Sequence, residues 1–239
     1  MDFLSTPFDK SAVDFLEDLG LEFYKIASFE LTDIPLIEYV ASKKKPMIIS
    51  CGMGSVDEIE DAVNACKRHG NEQIVLLKCC SEYPANYDDM NLATIPDMKN
   101  RFRLPVGLSD HSSGSIGAVV GVSLGACVIE KHFCLSREIK NPDSGFSMEP
   151  NEFSDMVETA RNAARIRGKV SYDLTEAEKS SRAFRRSIFA VKDIKEGELF
   201  TEENIRVIRP AYGLAPKEFF QIINTPAKRG YSFGEPLDK

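Results

Sequence analysis

The sequence predicts an α/β protein, a large domain of consecutive βα units followed by a small β-rich domain. Three observations lead there. Six short apolar runs, at 2–5, 23–27, 46–50, 74–78, 105–109 and 127–132, alternate with amphipathic stretches, the pattern of βα units. A polar, charged stretch at 169–186 then breaks the alternation. Beyond it, short extended runs and turn residues replace helical spacing. The expected organisation is a βα domain at 1–168, a linker at 169–186 and a second domain at 187–239.

Each apolar run has strand length and leads through a polar or Gly/Pro turn into a helical pattern. Over 11–19, Val13, Leu16 and Leu19 share one helical face. Ser55 with Glu58 forms a capping box ahead of a helix carrying Ile59, Ala62, Val63 and Cys66, and Gly70 is its stop signal. The 115–124 stretch, rich in Gly, Ala and Val, suits a helix packed closely on strands, and 152–167 reads as a long closing helix. In the second domain, 187–191 is a predicted strand, 193–198 a turn, 201–205 a short capped helix and 207–210 an extended run, followed by a tail containing Gly230 and Gly234. Six βα units fit either an open doubly wound sheet or a barrel short of its usual eight; periodicity does not choose.

Composition narrows the function. The net charge of −7, with no basic run longer than Lys43-Lys44-Lys45, speaks against nucleic acid as partner. A few placed cations still suit a small anionic substrate. No run approaches the ~18 apolar residues of a membrane helix, and the first ten residues lack the pattern of a secretory signal. A cytoplasmic protein is expected. The six cysteines form no CxxC pair, so reduced, mostly buried thiols are expected rather than structural zinc.

The strand ends carry the chemistry. They are Ser5-Thr6, Ser28 with Glu30, Ser50-Cys51-Gly52, Cys80-Ser81, Ser109-Asp110-His111 and Glu130-Lys131-His132, and a βα barrel collects function there. His111 and His132 close consecutive strands, which makes them neighbours at one rim. Such a pair suits either a shared divalent metal or simple hydrogen bonding. His69, beside Lys67 and Arg68 at a helix end, reads as a solvated residue facing the helix dipole. Cys51-Gly52-Met53-Gly54 has the look of a phosphate-cradling turn, a weak signal, and Asp143 in a Pro/Gly loop is equally a turn former.

Taken together, Ser5-Thr6-Pro7-Phe8, Tyr24-Lys25-Ile26-Ala27-Ser28, Gly107-Leu108-Ser109-Asp110-His111, Glu130-Lys131-His132-Phe133 and Pro142-Asp143 resemble the sialic acid synthases. The stretch 187–236, with Asp193-Ile194-Lys195-Glu196-Gly197 and Arg209-Pro210, resembles their antifreeze-like (SAF) domain. Within the family, residues 142–150 and 209–214 look closest to pseudaminic acid synthases. The resemblance implies a (β/α)8 TIM barrel with a SAF (β-clip) domain. It implies condensation of phosphoenolpyruvate with an open-chain amino sugar, a divalent metal (Mn²⁺, or Mg²⁺ or Co²⁺ in its place) and a domain-swapped homodimer. By the same resemblance, His111 and His132 hold the metal. Lys25, Thr6, Ser50, Ser81 and Ser109 line the phosphoenolpyruvate site, Ser28 binds substrate, and Glu30 handles a proton or activates water. Tyr83 and Asp143 lie near the sugar, and Arg209 reaches the partner's site. The family's first two βα units would precede Met1, with an acidic residue, a phosphate-binding lysine and a sugar-contacting asparagine. Three readings follow: the synthase; another phosphoenolpyruvate-dependent keto-sugar-acid synthase, against which the second domain speaks; and a non-catalytic sugar- or partner-binding remnant.

Overall fold

A computed structural model describes residues 3–238, and the chain divides into two compact units, Met1–Lys169 and Val170–Lys239. The first unit begins with α1 (Lys10–Asp18) and then alternates: β1 (Tyr24–Ile26), α2 (Ile34–Ser42), β2 (Met47–Ser50), α3 (Val56–Arg68), β3 (Ile74–Cys79), α4 (Thr94–Phe102), β4 (Val106–Asp110), α5 (Ile116–Ser123), β5 (Ile129–Lys131) and α6 (Pro150–Arg167). The strands are parallel and lie in their chain order, β1 to β5. No neighbour pair reverses direction along the sheet, so the described strands have no switch point of the doubly wound kind.

The sheet is strongly curled. Four interstrand spacings of ~4.8 Å would hold the outer strands of a flat sheet about 19 Å apart. Yet Lys25 on β1 and Glu130 on β5 form an ion pair at 2.9 Å. The five strands are therefore bent into half a barrel, with Lys25 and Glu130 meeting across its hollow.

The strand register assigns each side chain a face. Tyr24, Ile26, Met47, Ile49, Ile74, Leu76, Val106 and Leu108 point outward and join Val13, Leu16, Ile37, Val40, Ala62, Val63 and Cys66 of the helices in one buried core. The capping box on α3 forms as expected: Glu58 N–H donates to Ser55 Oγ, and Ser55 N–H to the Glu58 carboxylate at 2.7 Å. Gly70 follows the helix in the left-handed region at φ +65°.

Two expectations of this unit change. The run at 2–5 is not a strand: Phe3 to Pro7 pair with nothing in the sheet, and Asp2 lies outside the described residues. The described sheet thus has five strands rather than six. Cys127 is exposed, whereas Cys51, Cys66 and Cys79 are buried, and all six thiols are free.

In the second unit, α7 (Glu176–Ser181) precedes β6 (Ser187–Ala190) and β7 (Ile205–Ile208), which pair antiparallel, and α8 (Phe219–Ile222) follows. The stretch expected as a plain linker thus contains a helix, started by a capping box of Thr175 and Glu178. The helix expected at 201–205 is instead a turn. Asn204 is buried and holds it: its Oδ1 accepts from Thr201 N–H at 2.7 Å, and its amide donates to the Leu199 carbonyl. Ile188, Ala190, Ile194, Phe200, Ile205, Ala227, Tyr231 and Leu237 form the core. A Cβ at Gly213 would lie 2.6 Å from the Leu237 carbonyl oxygen, so only glycine allows this backbone approach. Among the described residues no helix is long and apolar enough to cross a membrane.

Candidate active site

The face of the sheet opposite the apolar core is polar toward the strand ends. In register, Lys25 and Ser50, Cys79, Ser109 and Glu130 point into the hollow, and His111 and His132 continue the same alternation just past β4 and β5. Glu130 is the hub. It binds Lys25 Nζ and accepts from Ser109 Oγ at 2.6 Å. Ser109 Oγ in turn lies 3.3 Å from His111 Nε2. The sequence places Glu130 at a strand end without a role; the two-residue alternation from His132 assigns it to this face.

The two imidazoles meet edge to face, with ring centres 5.3 Å apart. His111 is buried, and its Nδ1 lies 2.8 Å from the Cys80 carbonyl oxygen, which can only accept. Nδ1 therefore carries a proton, and in the neutral ring Nε2 keeps its lone pair, the arrangement usual for a metal-binding histidine. Tyr83 stacks on His111 at 4.1 Å, and Phe146 flanks His132 at 5.0 Å. Burial and the neighbouring His111 hold the His132 imidazole below its ordinary pKa, favouring the neutral form that can bind a metal. Burial opposes charge on both His111 and Cys79. Their mutual contact outweighs it, raising the histidine and lowering the thiol.

Asp143 is exposed, but its carboxylate approaches His132 Nδ1 to 3.6 Å. Ser28 Oγ accepts from Gly52 N–H at 3.1 Å. A Cβ at Gly52 would lie 2.2 Å from Ser81 Oγ and 2.8 Å from Ser28 Oγ, so this glycine lets two hydroxyls converge. Ser50 Oγ and Glu30 Oε2 are buried without a hydrogen-bond partner among the described residues. Such atoms call for a ligand or a water. Burial pushes the Cys51 thiol up to about 12, making it inert.

The structure thus brings together Lys25, Ser109, His111, His132, Tyr83 and Asp143, with Ser28 and Ser81 grouped around Gly52. Glu30 hydrogen-bonds to none of them, and Thr6 is half-buried in the irregular segment before α1. Arg209 belongs to the second unit, exposed just after β7. Among the described residues no three His, Cys, Asp or Glu side chains form a metal cage by themselves. The two histidines fit a metal as a partial ligand set, completed by water or substrate oxygens.

A curled run of parallel strands with an ionisable cluster at their C-terminal ends defines a barrel-type enzyme site. The chain belongs to the NeuB family, whose model matches residues 1–172, and a SAF domain matches 185–239. A pseudaminic acid synthase of Campylobacter jejuni is 42% identical over 98% of this chain and 68% of its own length. The N,N'-diacetyllegionaminic acid synthase of Legionella pneumophila is 38% identical over 99% of this chain and 68% of its own. The crystal structure of an N-acetylneuraminic acid synthetase from Leptospira borgpetersenii superposes with a TM-score of 0.73, at 34% identity, over 76% of this chain and 63% of that one.

Proposed function

We propose that the chain is a nonulosonic acid synthase that condenses phosphoenolpyruvate with an N-acetylated amino sugar and releases phosphate. The observation that carries this reading is the convergence of Lys25, Glu130, Ser109, His111 and His132 on one face of the half-barrel. The unpartnered Ser50 Oγ, buried on the same face, adds a donor waiting for an acceptor. The five strands are read as consecutive members of a (β/α)8 barrel. Identity with pseudaminic acid synthases favours a pseudaminic-type product.

Lys25, with Ser28, Ser50, Ser81, Ser109 and Thr6, suits the carboxylate and phosphate of phosphoenolpyruvate. His111 Nε2 and His132 would hold a divalent ion, Mn²⁺ in the first instance. When bound, such an ion supplies Lewis-acid polarisation of the sugar aldehyde. Phosphoenolpyruvate C3 bonds to the aldehyde carbon, whose oxygen takes a proton to become a hydroxyl; water adds to the cationic C2, and the bond from C2 to the phosphate oxygen breaks to leave a keto group and free phosphate. Glu30, whose buried oxygen has no hydrogen-bond partner among the described residues, is the group proposed to take the proton of that water. Tyr83 and Asp143 border the sugar. The partner subunit's Arg209, delivered in a domain-swapped homodimer, completes the reading.

The test is phosphate release from phosphoenolpyruvate with Mn²⁺ and a panel of N-acetylated amino sugars. It is run on this chain and on the chain preceded by the first two βα units of a NeuB relative. Sugar-dependent release by either protein supports the proposal. Release by neither, with any sugar, overturns it in favour of a binding role.

A further inference from the structure

We propose that the buried Asp110–Lys131 ion pair is a positioning device that sets the spacing and orientation of His111 and His132 for a shared divalent cation. The cation part rests on the metal-site reading above.

Asp110 and Lys131 stand directly opposite each other in the β4–β5 register. Each immediately precedes one of the two histidines. Alternation turns this pair to the outer face while the imidazoles face the hollow. The outer positions around them, Val106, Leu108 and Ile129, are apolar. The side chains of Asp110 and Lys131 are 0% and 1% exposed, and the charges meet at 2.8 Å.

The pair does more than join two strands. Asp110 Oδ1 accepts from Ser112 N–H at 2.9 Å and from Ser112 Oγ at 2.6 Å. Lys131 Nζ also donates to the Ser112 carbonyl. His111 is therefore clamped on both sides, at Asp110 and at Ser112. The clamp is anchored on the residue that carries His132. On α5, Gly117 leaves the room: a Cβ there would lie 2.8 Å from both Asp110 oxygens and from Ser112 Oγ.

Stability alone does not account for the arrangement. A buried ion pair is often matched or bettered by apolar side chains of similar volume. What such residues lack is direction. The clamp fixes where the chain leaves β4, and so where the His111 ring meets the Cys80 carbonyl and its neighbour.

The test uses Lys131→Met, Asp110→Asn, the double variant and Gly117→Ala, which crowds the carboxylate with both charges kept. Three readouts are taken on the full chain: the Mn²⁺ dissociation constant from the electron paramagnetic resonance of free Mn²⁺, ¹⁵N spectra of the histidine rings without metal, and thermal melting. Lys131→Met and the double variant are expected to weaken Mn²⁺ binding ~10–100-fold and to turn the single Nδ1–H form of His111 into a mixture. Gly117→Ala is expected to do the same to a smaller extent. If the single variants do not fold, the double variant and Gly117→Ala decide. A folded variant set with a lowered melting temperature but wild-type ring spectra and Mn²⁺ affinity within twofold would overturn the proposal, leaving the pair a structural one. If the wild-type chain binds no Mn²⁺, the metal-site reading fails by itself. The ring spectra then still judge the positioning role, and unchanged spectra sink it.

Discussion

The two faces of the half-barrel are built from alternate residues of the same strands and follow opposite rules. On the outer face, the side chains packed against the helices are largely apolar and interchangeable in kind: Ile49, Leu76 and Leu108 bury surface and specify little beyond volume. On the inner face near the strand ends, the charged groups and His111 have named neighbours. Glu130 needs Lys25 and Ser109, and His111 needs the Cys80 carbonyl. The apolar outer positions should therefore fail in stability and the inner groups in chemistry, and substitutions that cross this division would break the comparison.

The largest effect is expected from His111→Ala or His132→Ala. Loss of the metal's charge stabilisation, about 4 kcal/mol, corresponds to ~1,000-fold in turnover. Phosphate-release assays measure it, and wild-type rates in either variant would remove both residues from the site. On the outer face, Leu76→Ala is expected to cost ~2–5 kcal/mol, read from urea unfolding, while activity per folded molecule stays within twofold. Gly52→Ala is intermediate. The two serine hydroxyls it displaces should raise the KM for phosphoenolpyruvate about tenfold, or ~1.4 kcal/mol, with little change in the unfolding midpoint.

The smallest effect concerns a polar contact on the outer face. Tyr24 Oη donates to Glu17 at 2.5 Å, and Lys45 lies 2.8 Å from the same carboxylate. Burial pushes Glu17 up, but Lys45 and Tyr24 outweigh it and hold its pKa below the ordinary 4.5. Its contribution is therefore present above that value and lost as pH falls through the lowered one. Wild type should exceed Glu17→Gln by less than ~1 kcal/mol near neutrality, and the gap should close in acid. A gap that widened in acid would reverse the sign of this assignment.

Much of this was readable in the sequence because period-two alternation survives in short strands. The pairing of His111 with His132 followed from their places at consecutive strand ends. Barrel curvature did not follow from any such pattern, since it depends on contacts between residues far apart, and only the family resemblance pointed to it. Glu130 was placed at a strand end but given no role, because its partners Lys25 and Ser109 come from other strands and are not visible until the face is known. The short helix at 176–181 did carry a visible signal, the Thr175/Glu178 box, obscured by the charged composition around it. The turn at 201–204 misled because Thr201 resembles a helix cap, whereas the buried Asn204 amide closes the loop the other way.

Lys25 and Glu130 are separated by 105 positions along the chain. Their meeting closes a long loop, whose entropic cost falls due before any contact across the hollow repays it. Adjacent strands can dock in sequence as each βα unit forms. The hollow can acquire its charges in place only when the first and last strands have both arrived. The pocket is thus a late product of folding. Weakening that ion pair should hasten unfolding more than it slows folding.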